Sequence, residues 1–148
     1  AGMRAKLGLQ SAEGGDLDLA QSLLNWMQKV QADFTNTFRD LAADQLPAGE
    51  TYQDPDFRAW HAQWQIRLSR ESRPSDVIHS AMKSVNPAVI PRNHLVEEAL
   101  AAAQDHGDLS VLHRLLEVLA TPYETGPNSA PYQEPPSDDG NYRTFCGT

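Results

Sequence analysis

The sequence predicts an all-α protein, an irregular bundle of about six or seven helices with an extended tail. The main observation is that apolar residues recur at the i, i+3, i+4 spacing of amphipathic helices over most of the chain. A second observation is that proline, glycine and helix-capping side chains separate these stretches. No stretch alternates apolar and polar residues as β-strands do, so we expect no sheet.

The first long helix is predicted by an apolar stripe that runs from Leu17 to Phe34. Two glycines precede this stripe, and Asp16 has the side chain expected of an N-cap. A second stripe continues to Ala42 after a break that we place near Thr35-Asn36. These residues therefore predict two consecutive helices.

The next helix is predicted to begin at Pro55, because Asp54 can cap it and proline is favoured at the first helical position. One face of this helix carries large apolar side chains: Phe57, Trp60, Trp64 and Leu68. We favour core packing over a ligand pocket for these rings. Arg73-Pro74-Ser75 ends that helix and begins another that extends to Val85.

Residues 86–93 cannot form a regular helix, because two prolines bias the residues before them toward extended backbone. Four residues are candidates for a structural role in this loop: Asn86, Pro87, Arg92 and Asn93. The loop either braces a neighbouring lobe or turns the chain, and the sequence leaves both open. Asn93 is also predicted to cap the following helix.

A helical hairpin is predicted to close the bundle. Gly107 supplies the left-handed residue that stops one helix, and Asp108 can cap the next. The last helix is rich in leucine, and Pro122 is expected to end it.

Charge and hydropathy exclude several classes of partner. A net charge of −8 disfavours nucleic acid, and the basic residues Arg67, Arg70 and Arg73 are interpreted as one solvated helix face. No apolar run approaches the roughly 20 residues that span a bilayer, so we expect no membrane partner. The single cysteine favours a reducing compartment, and no signal-peptide pattern is present, so we expect a cytoplasmic protein. A chain that begins at Ala1 in mid-pattern is expected to be a fragment.

No residue pattern predicts catalysis within these 148 residues. Surface or structural roles are favoured over metal binding for all five histidines: His61, His79, His94, His106 and His113. Glu97 and Glu98 could act as general acid or base only if buried beside a substrate, and as first-turn acids they are better interpreted as stabilising a helix dipole. We therefore assign no catalytic, cofactor-binding or metal-binding residue here.

The chain divides by composition into a helical domain, residues 1–123, and a flexible proline-rich tail, residues 124–148. The tail holds too few apolar residues to offset the entropy of ordering it. Near its end stands the only cysteine, Cys146. This thiol is either incidental or a redox switch, and a switch would need a second sulfur that this chain does not contain.

The segment from Ser84 to Leu95, SVNPAVIPRNHL, resembles the asparagine-proline and arginine-asparagine signature late in sequences of the selenoprotein O family. The resemblance spans nearly the whole chain; it is strong in residues 84–123 and 142–148 and weak in residues 47–80. Cys146 stands third from the end, where family members carry selenocysteine or cysteine. Pro91 departs from the family pattern, which bears on the local shape of the loop.

This resemblance implies that the chain is the C-terminal helical part of a protein-kinase-like fold. The parent protein would transfer AMP from ATP to serine, threonine or tyrosine hydroxyls of proteins, and UMP transfer from UTP is the alternative among bacterial relatives. The family's catalytic and metal-binding residues lie upstream, so ATP or UTP and magnesium or manganese are expected on the parent rather than on these residues. The implied partners are the upstream kinase-like region and the protein substrates.

The resemblance also implies that Cys146 couples to a cysteine of the kinase-like body, so that oxidation regulates activity. The chain would then be a structural and redox-regulatory region without activity of its own. The competing interpretation is a free-standing helical module that binds other proteins and has no enzymatic function. Nucleotide binding by these residues themselves is a third, less favoured possibility.

Overall fold

The computed structural model describes residues 2–136, so Cys146 lies outside the described residues. The described residues form eight α-helices: α1 Gly2–Lys6, α2 Asp16–Val30, α3 Phe34–Leu41, α4 Pro55–Leu68, α5 Ser75–Val85, α6 Asn93–His106, α7 Ser110–Ala120 and α8 Ala130–Gln133. A 3₁₀ helix spans Thr51–Gln53. The described residues contain no strand, which confirms the all-α prediction. None of their helices has the length and hydropathy to cross a bilayer.

The chain divides into two compact units, residues 1–87 and residues 88–148. The first contains α1 to α5, and the described part of the second contains α6 to α8. The compositional boundary at residue 123 separates long helices from a tail and stays a prediction. The short helices α1 and α8 were not predicted, because five and four residues are too few to show helical periodicity.

The core of the first unit is built on α2 and α4, which pack against each other. Its most buried large side chains include Phe57 and Trp64, each 1% exposed, so the predicted core face of α4 is confirmed. The indole nitrogen of Trp64 donates to the carbonyl of Leu7 at 2.9 Å, and that of Trp60 donates to Leu19 at 2.8 Å. The rings thus bury large apolar surface while their polar atoms stay satisfied.

Two local signals place the predicted helix ends correctly. Asp54 accepts hydrogen bonds from the backbone nitrogens of Asp56 and Phe57, and Pro55 is the first residue of α4. Gly107 has φ +63° and ends α6 in the left-handed conformation. Both confirm the sequence prediction, since capping and left-handed glycine depend on neighbours within a few residues.

Two other predictions about helix starts are wrong. Gly15 occupies the cap position of α2, and the carboxylate of Asp16 points to other partners described below. Asn93 is the first residue of α6 rather than its cap, and the extended Arg92 precedes it without a side-chain capping bond.

The break between the first two long helices also lies earlier than predicted. Helix α2 ends at Val30 with Gln31 in the left-handed conformation, and Asp33 caps α3 through the backbone nitrogen of Asn36 at 2.8 Å. The apolar spacing continues across this turn, so periodicity alone placed the break near Thr35-Asn36.

Close packing explains one glycine between α1 and α2. Gly8 has φ +77°, and a Cβ there would lie 2.7 Å from Ile78 Cγ2 and 2.9 Å from Met82 Sδ. The position therefore excludes a side chain for two reasons, backbone conformation and space.

The second unit contains the predicted hairpin, in which α6 packs on α7. In the connection between these two helices, the side chain of Asp108 accepts a hydrogen bond from the backbone nitrogen of Ser110 at 2.9 Å. Leu109, however, is the residue at the N-cap position of α7. Helix α7 ends at Ala120, two residues before Pro122, as predicted.

Candidate functional site

Arg67, the one of the three predicted arginines that lies on α4, forms a buried ion-pair cluster and is not part of a solvated helix face as the sequence predicted. The Arg67 side chain is 4% exposed, and its Nε donates to Asp16 Oδ1 at 2.7 Å. Its Nη1 donates to Glu71 Oε1 at 3.0 Å, and its Nη2 to the carbonyl of Ser11 at 3.0 Å. The prediction failed because Asp16 and Ser11 lie far from Arg67 in sequence, where helical spacing carries no information.

The electrostatics of this cluster hold both acids ionised. The hydrogen bond from Arg67 lowers the pKa of Asp16. Burial alone would raise the pKa of Glu71, but hydrogen bonds from Ser11 and Arg67 bring it below its usual value. The same contacts, chiefly that with Asp16, raise the pKa of Arg67. Acids held as carboxylates by an internal cation are suited to structural pairing rather than to proton transfer.

The other two arginines differ from Arg67 in exposure. Arg70 is half exposed and pairs with Glu13 at 2.7 Å, so it comes nearest to the predicted solvated face. Arg73 donates from Nη2 to the carbonyl of Gly8 at 2.9 Å. Its Nε is buried without a hydrogen-bond partner among the described residues.

The loop residue Asn86 joins three helices of the first unit. It is fully buried, and its Nδ2 donates to the carbonyl of Lys6 at 2.9 Å, while Lys6 Nζ donates back to its Oδ1 at 3.3 Å. The Asn86 carbonyl accepts from Arg39 Nη1 at 2.9 Å, and the same nitrogen donates to the carbonyl of Lys83 at 3.1 Å. Burial lowers the pKa of Arg39. Asn86 therefore fixes the end of α5 to α1 and α3.

The rest of the loop makes its contacts in the second unit. The backbone nitrogens of Ala88 and Val89 donate to the Pro122 carbonyl at 2.8 and 3.2 Å. Arg92 is 8% exposed, and its Nη2 donates to the carbonyl of Gln133 at 3.1 Å. Pro87 and Asn93, the other two candidates, are half-buried. Of the four predicted loop residues, Asn86 is thus anchored within the first unit and Arg92 within the second, and the role of the loop in bracing a further lobe stays a prediction.

A half-buried acid, Asp40, lies beside Tyr52. The Tyr52 hydroxyl donates to Asp40 Oδ2 at 2.5 Å, which joins α3 to the 3₁₀ helix. Burial raises the pKa of Asp40 and, together with that hydrogen bond, raises the pKa of Tyr52 well above its usual value. Neither residue lines the solvent-open cavity of the first unit that is described next, and we interpret the pair as structural.

That cavity has a volume of about 580 Å³ and is open to solvent on one side. Two histidines stand in its lining, which includes Leu41, Asp44, His61, Trp64, Ile78 and His79. Burial lowers the pKa of His61, whose ring lies 5.5 Å from that of Trp64. His79 Nδ1 lies 3.1 Å from Asp44 Oδ1.

In the part of the chain that the structure describes, no group of side chains is arranged to bind a metal ion or to act as a general acid and base. Within residues 2–136, no three side chains of histidine, aspartate, glutamate or cysteine could share a metal ion. Glu97 and Glu98 are exposed, so they do not meet the condition of burial beside a substrate. The donor set of these residues does not fit the magnesium or manganese ion that the family implies, and no step through a metal is derived from them.

The described residues thus form a helical region whose polar clusters connect elements of the chain itself. The profile of the family described as Protein adenylyltransferase SelO matches residues 1–120. A relative from Syntrophotalea carbinolica, named Protein nucleotidyltransferase YdiU, is 53% identical over 148 residues. Relatives of the same name from Geobacillus kaustophilus and Alcanivorax borkumensis are 49% and 46% identical over 149 and 147 residues.

The chain belongs to the SelO family. These alignments cover 99%, 100% and 99% of the chain but only 30%, 31% and 30% of the relatives. The chain therefore spans about a third of the length of the curated relatives it matches. The family match confirms the resemblance that the segment from Ser84 to Leu95 indicated.

Proposed function

We propose that the parent protein transfers AMP from ATP to serine, threonine or tyrosine hydroxyls of other proteins. These 148 residues would be its C-terminal helical region within a kinase-like fold. The observation that carries the proposal is the match of the adenylyltransferase family over residues 1–120, together with relatives named as protein nucleotidyltransferases. ATP and magnesium or manganese would bind upstream residues, and UTP would replace ATP if UMP is the transferred group.

The internal character of the polar clusters supports a non-catalytic role for this region. The carboxylates near Arg67 are neutralised within the first unit, and Asn86 uses its side chain to join helices. Arg67, the cation of that cluster, cannot also bind nucleotide phosphates without leaving these two carboxylates buried and unpaired. The loop of Asn86, Pro87, Arg92 and Asn93 would then serve as structural bracing for the upstream lobe.

The alternative is a free-standing module that binds other proteins, and an assay of nucleotide transfer distinguishes it from this proposal. The protein expressed from the complete open reading frame would be incubated with labelled ATP or UTP, each with magnesium or manganese. Labelled AMP on hydroxyl side chains, located by peptide mass spectrometry, is the expected result. Absence of transfer with both nucleotides and both metals would favour the interaction module.

A redox role for Cys146 is a separate part of the proposal, since this residue lies outside the described part of the chain. Cys146 is the only cysteine of these 148 residues, so an intramolecular disulfide of the parent needs a sulfur outside them, which we propose lies in the kinase-like region. Two thiols would lose two electrons and two protons to an oxidant such as oxidised glutathione, which is reduced to two thiols. Peptide mapping of the oxidised parent should find Cys146 paired, and a Cys146→Ser variant should lose the response of activity to reductant. An unpaired Cys146 and an unchanged response would contradict this role.

The bacterial cytoplasm is the compartment we propose for the parent, because a switchable thiol pair needs a reducing environment. Fractionation of a bacterial host should recover the parent with cytoplasmic markers, and its recovery with periplasmic markers would contradict this.

A further inference from the structure

An apolar face of α7 is left largely open to solvent. This face and the cap residue Leu109 carry leucines at three- and four-residue spacing that we call the leucine stripe: Leu109, Leu112, Leu116 and Leu119. Leu109 is 50% exposed and Leu116 is 54% exposed, while the other two are half-buried. Leu115, which borders Leu112 and Leu119 on the same helix, is only 3% exposed. Packing within the hairpin therefore buries only part of the apolar surface of this helix.

The second unit has little core of its own. Its buried apolar residues within 88–136 are Ala88, Val89, Ala99 and Leu115. Three of these four are small or medium side chains, and Leu100 on α6 is 55% exposed. Stable helices in water depend mainly on burial of an apolar face against another element. We therefore expect the leucine stripe to be buried against another apolar surface.

The length of the relatives indicates which partner this is. The family profile extends through residue 120 and so includes all of α7. In relatives that align with the chain over 99% of its length, the same region is 30% of a longer protein. A second copy of this chain is a poorer partner, because each copy carries a net charge of −8 and like charges repel.

We propose that the leucine stripe is covered by an apolar surface of the polypeptide that precedes residue 1 in the parent protein. This rests on the proposed function only in that both require the longer parent chain. The contact would join the hairpin of α6 and α7 to the parent and would add the core that the second unit lacks.

Hydrogen exchange tests the contact directly. The amides of residues 109–119 should exchange roughly tenfold or more slowly in the parent than in the 148-residue chain at equal concentration. Equal exchange in the two proteins would overturn the proposal. So would strong protection in the 148-residue chain alone, which would place the covering surface within this chain, or protection that rises with protein concentration, which would indicate a second copy.

A double substitution provides a second test that needs only the parent. Leu109→Gln with Leu116→Gln should lower the Tm of the parent by roughly 2–4 °C, because two apolar contacts are lost. Ile66→Gln is the matched control, since Ile66 is 61% exposed on α4 and lies outside the stripe. It should leave the Tm unchanged, and an equal effect of both changes would contradict the specific role of the stripe.

These outcomes are distinguishable from those of the proposed function. A parent that transfers AMP while α7 stays unprotected refutes the docking contact alone. A parent with a protected α7 that transfers no nucleotide refutes the proposed activity alone.

Discussion

Removal of the Arg67 side chain should destabilise the first unit far more than removal of an exposed ion pair. Arg67→Met leaves the carboxylates of Asp16 and Glu71 without their cation, and these side chains are only 5% and 3% exposed. Breaking a buried pair from one side typically costs about 3–5 kcal/mol, because the remaining charge stays buried. We expect the free energy of unfolding to fall by about that amount.

An exposed pair in the same unit supplies the control. Lys29 and Asp56 are 2.6 Å apart, with side chains 63% and 65% exposed. Lys29→Met should therefore cost at most about 1 kcal/mol. The two substitutions remove cations at similar distances from their acids, so burial is the main difference between them.

Urea unfolding followed by tryptophan fluorescence measures both effects, since all three tryptophans lie in the first unit. The loss should also depend on pH. The pKa values of Asp16 and Glu71 are lowered in the folded state, so their stabilisation is present above the ordinary values of 3.8 and 4.5. It disappears as the pH falls through the folded-state values. An Arg67→Met variant that loses no more than Lys29→Met at pH 7 would refute the reasoning.

Three further predictions concern single positions. Gly8→Ala should cost about 1–3 kcal/mol through its left-handed backbone and the contact with Ile78, whereas Gly14→Ala, with nothing within 4 Å, should be near neutral in urea unfolding. Asn86→Ala should cost about 1–3 kcal/mol because the part-buried carbonyl of Lys6 loses its donor, and equal stability of variant and wild type would contradict this. The lowered pKa of His61 means that its neutral form stabilises the fold above the ordinary value of 6.5, and that this contribution declines as the pH falls below it. His61→Phe should reduce the loss of urea midpoint between pH 7.5 and 5.5, and an identical pH profile would exclude the effect.

The sequence predicted those parts of the fold that depend on near neighbours. Asp54 and Pro55 define the start of α4 within three residues, and Gly107 defines the end of α6 by its own backbone preference. The aromatic spacing of α4 likewise identified its core face. Each of these is a local rule that needs no knowledge of the tertiary structure.

The polar contacts of the candidate site could not be predicted in the same way. Arg67 reaches Asp16 across 51 residues, and Asn86 reaches Lys6 across 80. Helical spacing made Arg67 look solvated and Asp16 look like a cap, because it describes only neighbours on one helix. The prolines of the loop marked Asn86 and Arg92 as noteworthy, but their partners are set by how the helices pack.

Nucleotide transfer by the parent protein and by this chain, measured side by side by intact-protein mass spectrometry, is the most direct test of the account. The account predicts that the parent adds AMP to a protein hydroxyl in the presence of ATP and a divalent metal, and that the 148-residue chain adds nothing under the same conditions. Transfer by the chain alone, or transfer of neither AMP nor UMP by the parent, would contradict it.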